Sequence, residues 1–417
     1  MELRAGYKQT DVGVIPDDWD VFRLGALSEF ITSGSRGWAA YYSDHGPLFI
    51  RSQNVRNGRL SLEDSAFVRP PLGAEGNRTR VKRDDVLITI TGNSVGNVAI
   101  VDCDLNEAYI SQHVGLVRLC LPNLGHYVCR FLSPNSPGNS QILASQSGQS
   151  KPGLNLHNLE DFLIVLPNSE VEQRAIAEAL SDVDALLEGL TRLIAKKRDL
   201  KQAAMQQLLT GQTRLPGFRG EWEVKQLGKV GTFSKGSGVR KDEARRGDLP
   251  CVRYGEIYTH HHDYVRSFNS WISREVAETA TLIESGDILF AGSGETKHEI
   301  GKCVAYVDNF EAYAGGDIII LRPSRSDSRF LGYLLNAPAI ASQKASRGQG
   351  DAVVHIGASS LAAIQLTLPS VSEQTAIATV LSDMDAELSA LEARRAKTLD
   401  IKQAMMQELL TGRTRLV

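Results

Sequence analysis

One stretch of 44 residues occurs twice in this chain, at 172–215 and at 373–416, and 27 of its positions are identical without a gap. Both copies read as a single long helix with its own start and stop signals. Ser169 with Glu172, and Ser370 with Glu373, have the S-x-x-E spacing of a capping box, in which hydroxyl and carboxylate satisfy the first free N–H groups. Gly211 and Gly412 stand where a left-handed C-terminal cap is needed. Ile176, Leu180, Val183, Leu187, Leu190 and Ile194 recur at alternating spacings of four and three, as do Ile377, Leu381, Met384, Leu388 and Leu391. That is the seam of a coiled coil. Lys197 and Lys201, and Arg395 and Lys402, interrupt it before Leu208 and Leu409 resume it. Such a helix is roughly 60 Å long at 1.5 Å per residue. Alone it leaves an apolar stripe in water, so the simplest arrangement pairs the two copies with each other.

The duplication extends beyond the helices. DDWDVFRLGALSEFITSG after the lead-in at 1–18 matches GEWEVKQLGKVGTFSKGSG, placing Trp19 on Trp222, Leu24 on Leu227, Gly25 on Gly228 and Phe30 on Phe233. FIRSQNV falls on CVRYGEI, pairing Arg51 with Arg253, and RDDVLITITG falls on SGDILFAGSG, pairing Asp85 with Asp287. The expected order is a globular domain at 1–165, a helix at 166–216, a second domain at 217–365 and a second helix at 366–417. Short apolar runs such as VLITI, VGLVRL, DILFA and DIIILRP read as strands, with shorter helices near 125–132 and 328–335. The fold class is therefore mixed α/β, two similar domains joined and followed by long helices. The frame agrees between halves, whereas the loops at 34–46 and 236–248, 56–80 and 258–281, and 93–97 and 295–301 differ. Two copies of one scaffold with different loops suggest two sites of one kind that read different things, with drift after duplication as the alternative on the loops alone.

Composition narrows the class. No run approaches the roughly 18 apolar residues of a membrane span, and the N-terminus has no secretory pattern. Five cysteines without a C-x-x-C pair fit a reducing compartment and argue against structural zinc, so a cytoplasmic location is expected. The net charge of −3 means that any surface for nucleic acid must be local or supplied by a partner.

AGSGETK at 291–297 fails as a phosphate loop, since the lysine and glycine spacing is wrong. As a nuclease core, Asp287, Glu295 and Lys297 would supply two carboxylates for Mg²⁺ and a lysine beside the attacked phosphate. The first half has Asn93, Ser94 and Val95 in place of the pair. His260, His261 and His262 are adjacent and point in different directions, so a solvated loop is the expected reading over a metal cluster. Trp19 and Trp222 are expected as core anchors. No nucleophile elbow, Asn-Pro-Pro-aromatic methyltransferase signature or cofactor loop is present.

What remains is a set of polar, basic loops suited to DNA. In the first half the candidates are Arg36; Arg51, Gln53, Asn54 and Arg56; Arg78 and Arg80; Asn93 and Ser94; and Gln149 with Lys151. In the second they are Lys235, Ser237 and Arg240; Arg253, Tyr254 and Glu256; Thr296 and Lys297; and Gln349. Arg and Lys neutralise phosphates, while Arg, Gln and Asn have the bidentate geometry that separates guanine from adenine edges.

The order of segments, the lead-in YKQTDVGVIPDDW, and LPNSEVEQRAIAEAL and LPSVSEQTAIATVL each running to LLTG resemble the specificity subunit of type I restriction-modification systems. The resemblance covers essentially the whole chain. It implies two target recognition domains, each reading one half of an interrupted DNA sequence, with long helices that pair antiparallel, space the domains and dock methyltransferase subunits, typically two. It also implies no catalysis and no cofactor on this chain. S-adenosylmethionine would belong to the methyltransferase partner, and ATP and Mg to two restriction subunits that translocate and cleave. A self-contained metal-dependent nuclease and a coiled-coil scaffold without DNA specificity stand as the alternatives.

Overall fold

The computed structural model describes residues 5–56, 58–70, 73–146, 153–244, 247–350 and 353–416, without the side chains of Ala39, Ala74 and Glu75. Its contacts divide the chain into two units, residues 1–191 with 393–417, and residues 192–392. Each unit holds one globular domain, part of the helix that follows it, and part of the other long helix.

The long helices run Glu170–Leu208 and Val371–Leu409. Gly211 and Gly412 follow them at φ 71° and 67°, the left-handed cap that the sequence requires. At their starts only half of each expected capping box forms. Ser169 and Ser370 accept from the N–H of Glu172 and Glu373 at 3.4 Å, but both carboxylates turn elsewhere. In the first unit Glu172 is fully buried and accepts from Arg415 and from the Trp19 indole. In the second, Glu373 accepts from Arg214 at 2.5 and 2.6 Å. Arg415 lies over Trp19 and Arg214 over Trp222. The TG-x-TR phrase that ends one helix is thus clamped beside the start of the other, in both units.

The helices are antiparallel within each unit. Lys402 meets Asp184 at 2.6 Å and Arg395 meets Thr191 at 3.0 Å in the first. Lys197 meets Glu387 at 2.7 Å and Lys201 meets Asp385 at 2.8 Å in the second. The basic residues that break the apolar seam are therefore its polar pairings. The seam itself serves two surfaces. Ile176 and Leu180 belong to the core of the first domain, with Met406, Leu409 and Leu410. Ile377 and Leu381 belong to the core of the second, with Leu208 and Leu209. Leu190, Ile194 and Leu388 are buried, while Val183, Leu187, Met384 and Leu391 are half-buried. A heptad pattern marks which helix face is apolar, and a sheet domain covers that face as well as a second helix does.

Each domain is mixed α/β. In the first, strands Ser28–Ser33, Val114–Leu119, Val86–Thr89 and Val98–Ile100 lie side by side in that order, extended by two short strands. In the second, Gly231–Lys235, Ile318–Pro323, Ile288–Ala291 and Cys303–Ala305 repeat the order. A second small sheet in each contains a parallel pair, Tyr42–Ile50 with Ala108–Ile110 and Leu249–Val252 with Ala312–Ala314. Helices Leu124–Leu132 and Ser328–Asn336 occupy the stretches that the sequence marks as helical. The register corrects one pairing: Arg118 faces Phe30 but Arg322 faces Thr232, so the counterpart of Phe233 is Ile31, not Phe30. One residue is gained between the aligned tryptophan and this strand, which an ungapped comparison cannot register.

Candidate nucleic-acid interface

Two locks built on buried carboxylates fix the frame from which the loops project. Asp85 takes a bidentate pair from Arg118 at 2.8 and 2.7 Å, and Asp287 takes one from Arg322 at 2.8 and 2.9 Å. Each carboxylate also accepts one backbone N–H, of Lys82 or Glu284. Burial outweighs the Arg118 charge and holds the Asp85 carboxyl above its ordinary range. The nuclease constellation fails here. Asp287 is 0% exposed with both oxygens given to Arg322, and Glu295 and Lys297 lie on an exposed loop. A carboxylate so enclosed cannot hold a metal at a phosphate. Among the described residues no group of three or more His, Cys, Asp or Glu is placed to hold a metal ion.

Asn54 and Glu256 are also frame residues. Asn54 is 3% exposed, accepts from the Arg51 N–H at 2.9 Å and donates to Ser61 and Asp64 carbonyls. Glu256 is 4% exposed, accepts from the Arg253 N–H at 3.2 Å and takes the Ser270 hydroxyl. Both close the same short turn at equivalent places. Their polar atoms are committed inside, so they shape the loop and do not read bases.

The other candidates are at the surface. Arg51 pairs with Asp64 at 3.4 Å, Gln53 donates to the same carboxylate, and Arg56 donates to the Gln53 carbonyl at 2.7 Å. Arg78 clamps the neighbouring loop through Thr32, Ser33 and Ser35. Arg36, Arg80 and Asn93 are exposed and Ser94 is half-buried. Gln149 and Lys151 lie outside the described residues. In the second domain Ser237 bonds Thr279 and Thr281, Thr296 reaches Glu299 at 3.5 Å, and Arg240 and Tyr254 are exposed. Arg253 lines a recess of about 340 Å³ with Lys241 and Asn269. Lys235 and Gln349 come together in a groove of about 640 Å³ with Ser293, Asp317, Arg347 and His355. The last four escape sequence reasoning because the groove is assembled from four separate stretches. The available signal was Asp317, which stands in the first half's position of His113, just ahead of a duplicated strand.

Of the adjacent histidines, His261 is buried at 2% exposure and forced down to about 4, by burial first and then by the charges of His260, Lys302 and His262. The expected solvated loop is thus wrong for His261, whose ring fills the domain interior, whereas His260 is exposed.

The type I restriction modification DNA specificity domain matches residues 16–196 and again 219–400, once over each domain and its helix. The chain belongs to this family. It is similar to the type I restriction enzyme MjaVIII specificity subunit of Methanocaldococcus jannaschii, 22% identical over 96% of this chain and 94% of that one. The fold is similar to a crystal structure of a type I restriction-modification S subunit from M. genitalium, at 15% identity, a TM-score of 0.61 and coverage of 98% of each chain. It is also similar to a structure described in work on complex assembly and conformational transition of the type I R-M system, at 19% identity, a TM-score of 0.55 and coverage of 96% and 99%. As a specificity subunit the chain contributes DNA target recognition and is not itself an enzyme, since methylation and cleavage lie in other subunits. No helix among the described residues of this specificity subunit is long and apolar enough to cross a membrane.

Proposed function

We propose that this subunit directs adenine methylation to an interrupted DNA target, each globular domain reading one half. The observation that carries this reading is the contrast between halves. The Asp85–Arg118 and Asp287–Arg322 locks repeat atom for atom, while the loops they support differ in sequence and, in two of the three pairs, in length. Two scaffolds of one design with different lips serve two sequences and not one. The long helices space the half-sites and dock two methyltransferase subunits, with two restriction subunits completing the complex in the cytoplasm. S-adenosylmethionine, ATP and Mg act in those partners. A chain of net charge −3 then relies on them for much of the phosphate neutralisation.

The test is a genome-wide map of methylated adenine in a host without its own modification, expressing this chain with its methyltransferase subunit. One interrupted motif, present only with this chain, is the expected result. Soluble, associated subunits that yield no motif would overturn the reading. A scaffold without DNA specificity instead predicts that scrambling the loops leaves the methylation pattern intact.

A further inference from the structure

The two domains carry different chemistry at one shared place in their frames. Thr91 and Ser293 each stand six residues after the locked aspartate. Each closes a bridge to the segment before the long helix, Thr91 to Gly153 and Ser293 to His355. His113 and Asp317 each precede the strand that pairs with the lock strand, at Val114 and Ile318. Ser33 and Lys235 each end the strand beyond, facing Gly115 and Ile319. Around an unchanged frame, the second domain therefore places Lys235, Asp317 and His355 where the first places Ser33, His113 and Gly153.

In the second domain these positions surround the 640 Å³ groove. His355 is held by Ser293 Oγ at 2.9 Å, and its backbone exchanges hydrogen bonds of 2.9 and 2.8 Å with Gln349. Asp317 adopts φ 58°, with its carbonyl accepting from Gly292 N–H at 2.7 Å. Asp is one of the few side-chain-bearing residues that adopt this left-handed conformation readily. Lys235, Asp317 and Gln349 are exposed, and none of their side chains has a partner among the described residues. In the first domain, Thr91 and Gln112 both bond the ring of His113.

A site for backbone phosphate would not set an uncommitted carboxylate at its lip. A base edge presents donors and acceptors together, so an acid, an amide and an ammonium can each find a partner on it. We propose that Asp317, Gln349 and Lys235 are specificity-determining residues that contact base edges of the half-site bound by the second domain, and that Gln112 and His113 do so in the first. This rests on the reading of one domain for each half-site.

The experiment uses the full chain with its methyltransferase subunit and compares methylated-adenine maps for the wild type, Asp317→Asn, Gln349→Ala and Lys235→Ala. The wild-type map tests the one-domain-one-half reading; the variants test the groove. The expected result is an altered or relaxed base at one half-site, with discrimination there falling about tenfold or more, as for loss of a good base contact, and the other half-site unchanged. An unchanged motif, including one methylated uniformly less, would overturn the proposal. Co-purification with the methyltransferase checks assembly, and Gln112→Ala asks the same of the opposite half should any second-domain variant fail to assemble.

Discussion

His261 sits inside the second domain with no partner for Nε2, so its neutral form is the one the fold accepts. Burial, reinforced by the charges of His260, Lys302 and His262, lowers it from 6.5 to about 4. Below pH 6.5 the unfolded chain takes up a proton that the folded domain refuses until pH 4. Stability therefore falls as pH drops through that window, by about 3 kcal/mol at 1.36 kcal/mol for each unit of pKa. Urea unfolding of the second domain between pH 7 and 4 is expected to show this slope, and His261→Phe to flatten it. At this scale the sequence was only partly legible. The duplication singled out Asp85 and Asp287, but their partners Arg118 and Arg322 lie 33 and 35 residues on, joined by strand register that no local spacing encodes. For the same reason Asn54 and Glu256 resembled surface polar groups until the turn they close was visible.

The long helices were legible because their punctuation is local. Serine, glycine and apolar period act within a few residues, and the helices begin one residue after Ser169 and Ser370 and end three residues before Gly211 and Gly412, inside the wider segments 166–216 and 366–417. Which surface each stripe covers was not legible, since Ile176 meets a sheet domain where a pure coiled coil would offer a helix. The clamp on Glu172 was equally hidden, because Arg415 is 243 residues away. Removing that guanidinium leaves a buried carboxylate without its partner, which is costly. Arg415 is itself a third exposed, so the loss in Arg415→Met is expected at about 2–3 kcal/mol, below the roughly 3–5 kcal/mol of a fully buried pair. Amide hydrogen exchange over 406–412 is expected to rise about thirtyfold or more, while residues 192–392 stay protected. Arg214→Met is expected to expose the second unit's clamp in the same way, with faster exchange at 205–211 and none at 406–412. If both variants loosened both ends, the clamps would not be local devices.

At the scale of the whole chain, the proposed function assigns reading to the duplicated domains and the distance between readings to the duplicated helices. Each helix has 39 residues, ending in a clamp that involves the start of its counterpart. The helices run antiparallel within each unit, with Lys402 on Asp184 in the first and Lys201 on Asp385 in the second, so if they act as a ruler, matched changes in both are expected to preserve both sets of pairs. Inserting seven residues into each helix, at matched positions between those pairs, adds about 10 Å at 1.5 Å per residue. With DNA rising 3.4 Å per base pair, the spacer of the methylated motif is expected to lengthen by roughly three base pairs while both half-site sequences stay as they were. Mapping methylated adenine in the insertion variant checks this directly. An unchanged spacer would show that helix length does not set the separation, and altered half-site bases would show that recognition and spacing are not carried by separate parts of the chain. Insertion into one helix only is expected to abolish methylation, because one set of charge pairs, including the Asp385 carboxylate with Lys201, Arg266 and Tyr333, must then break.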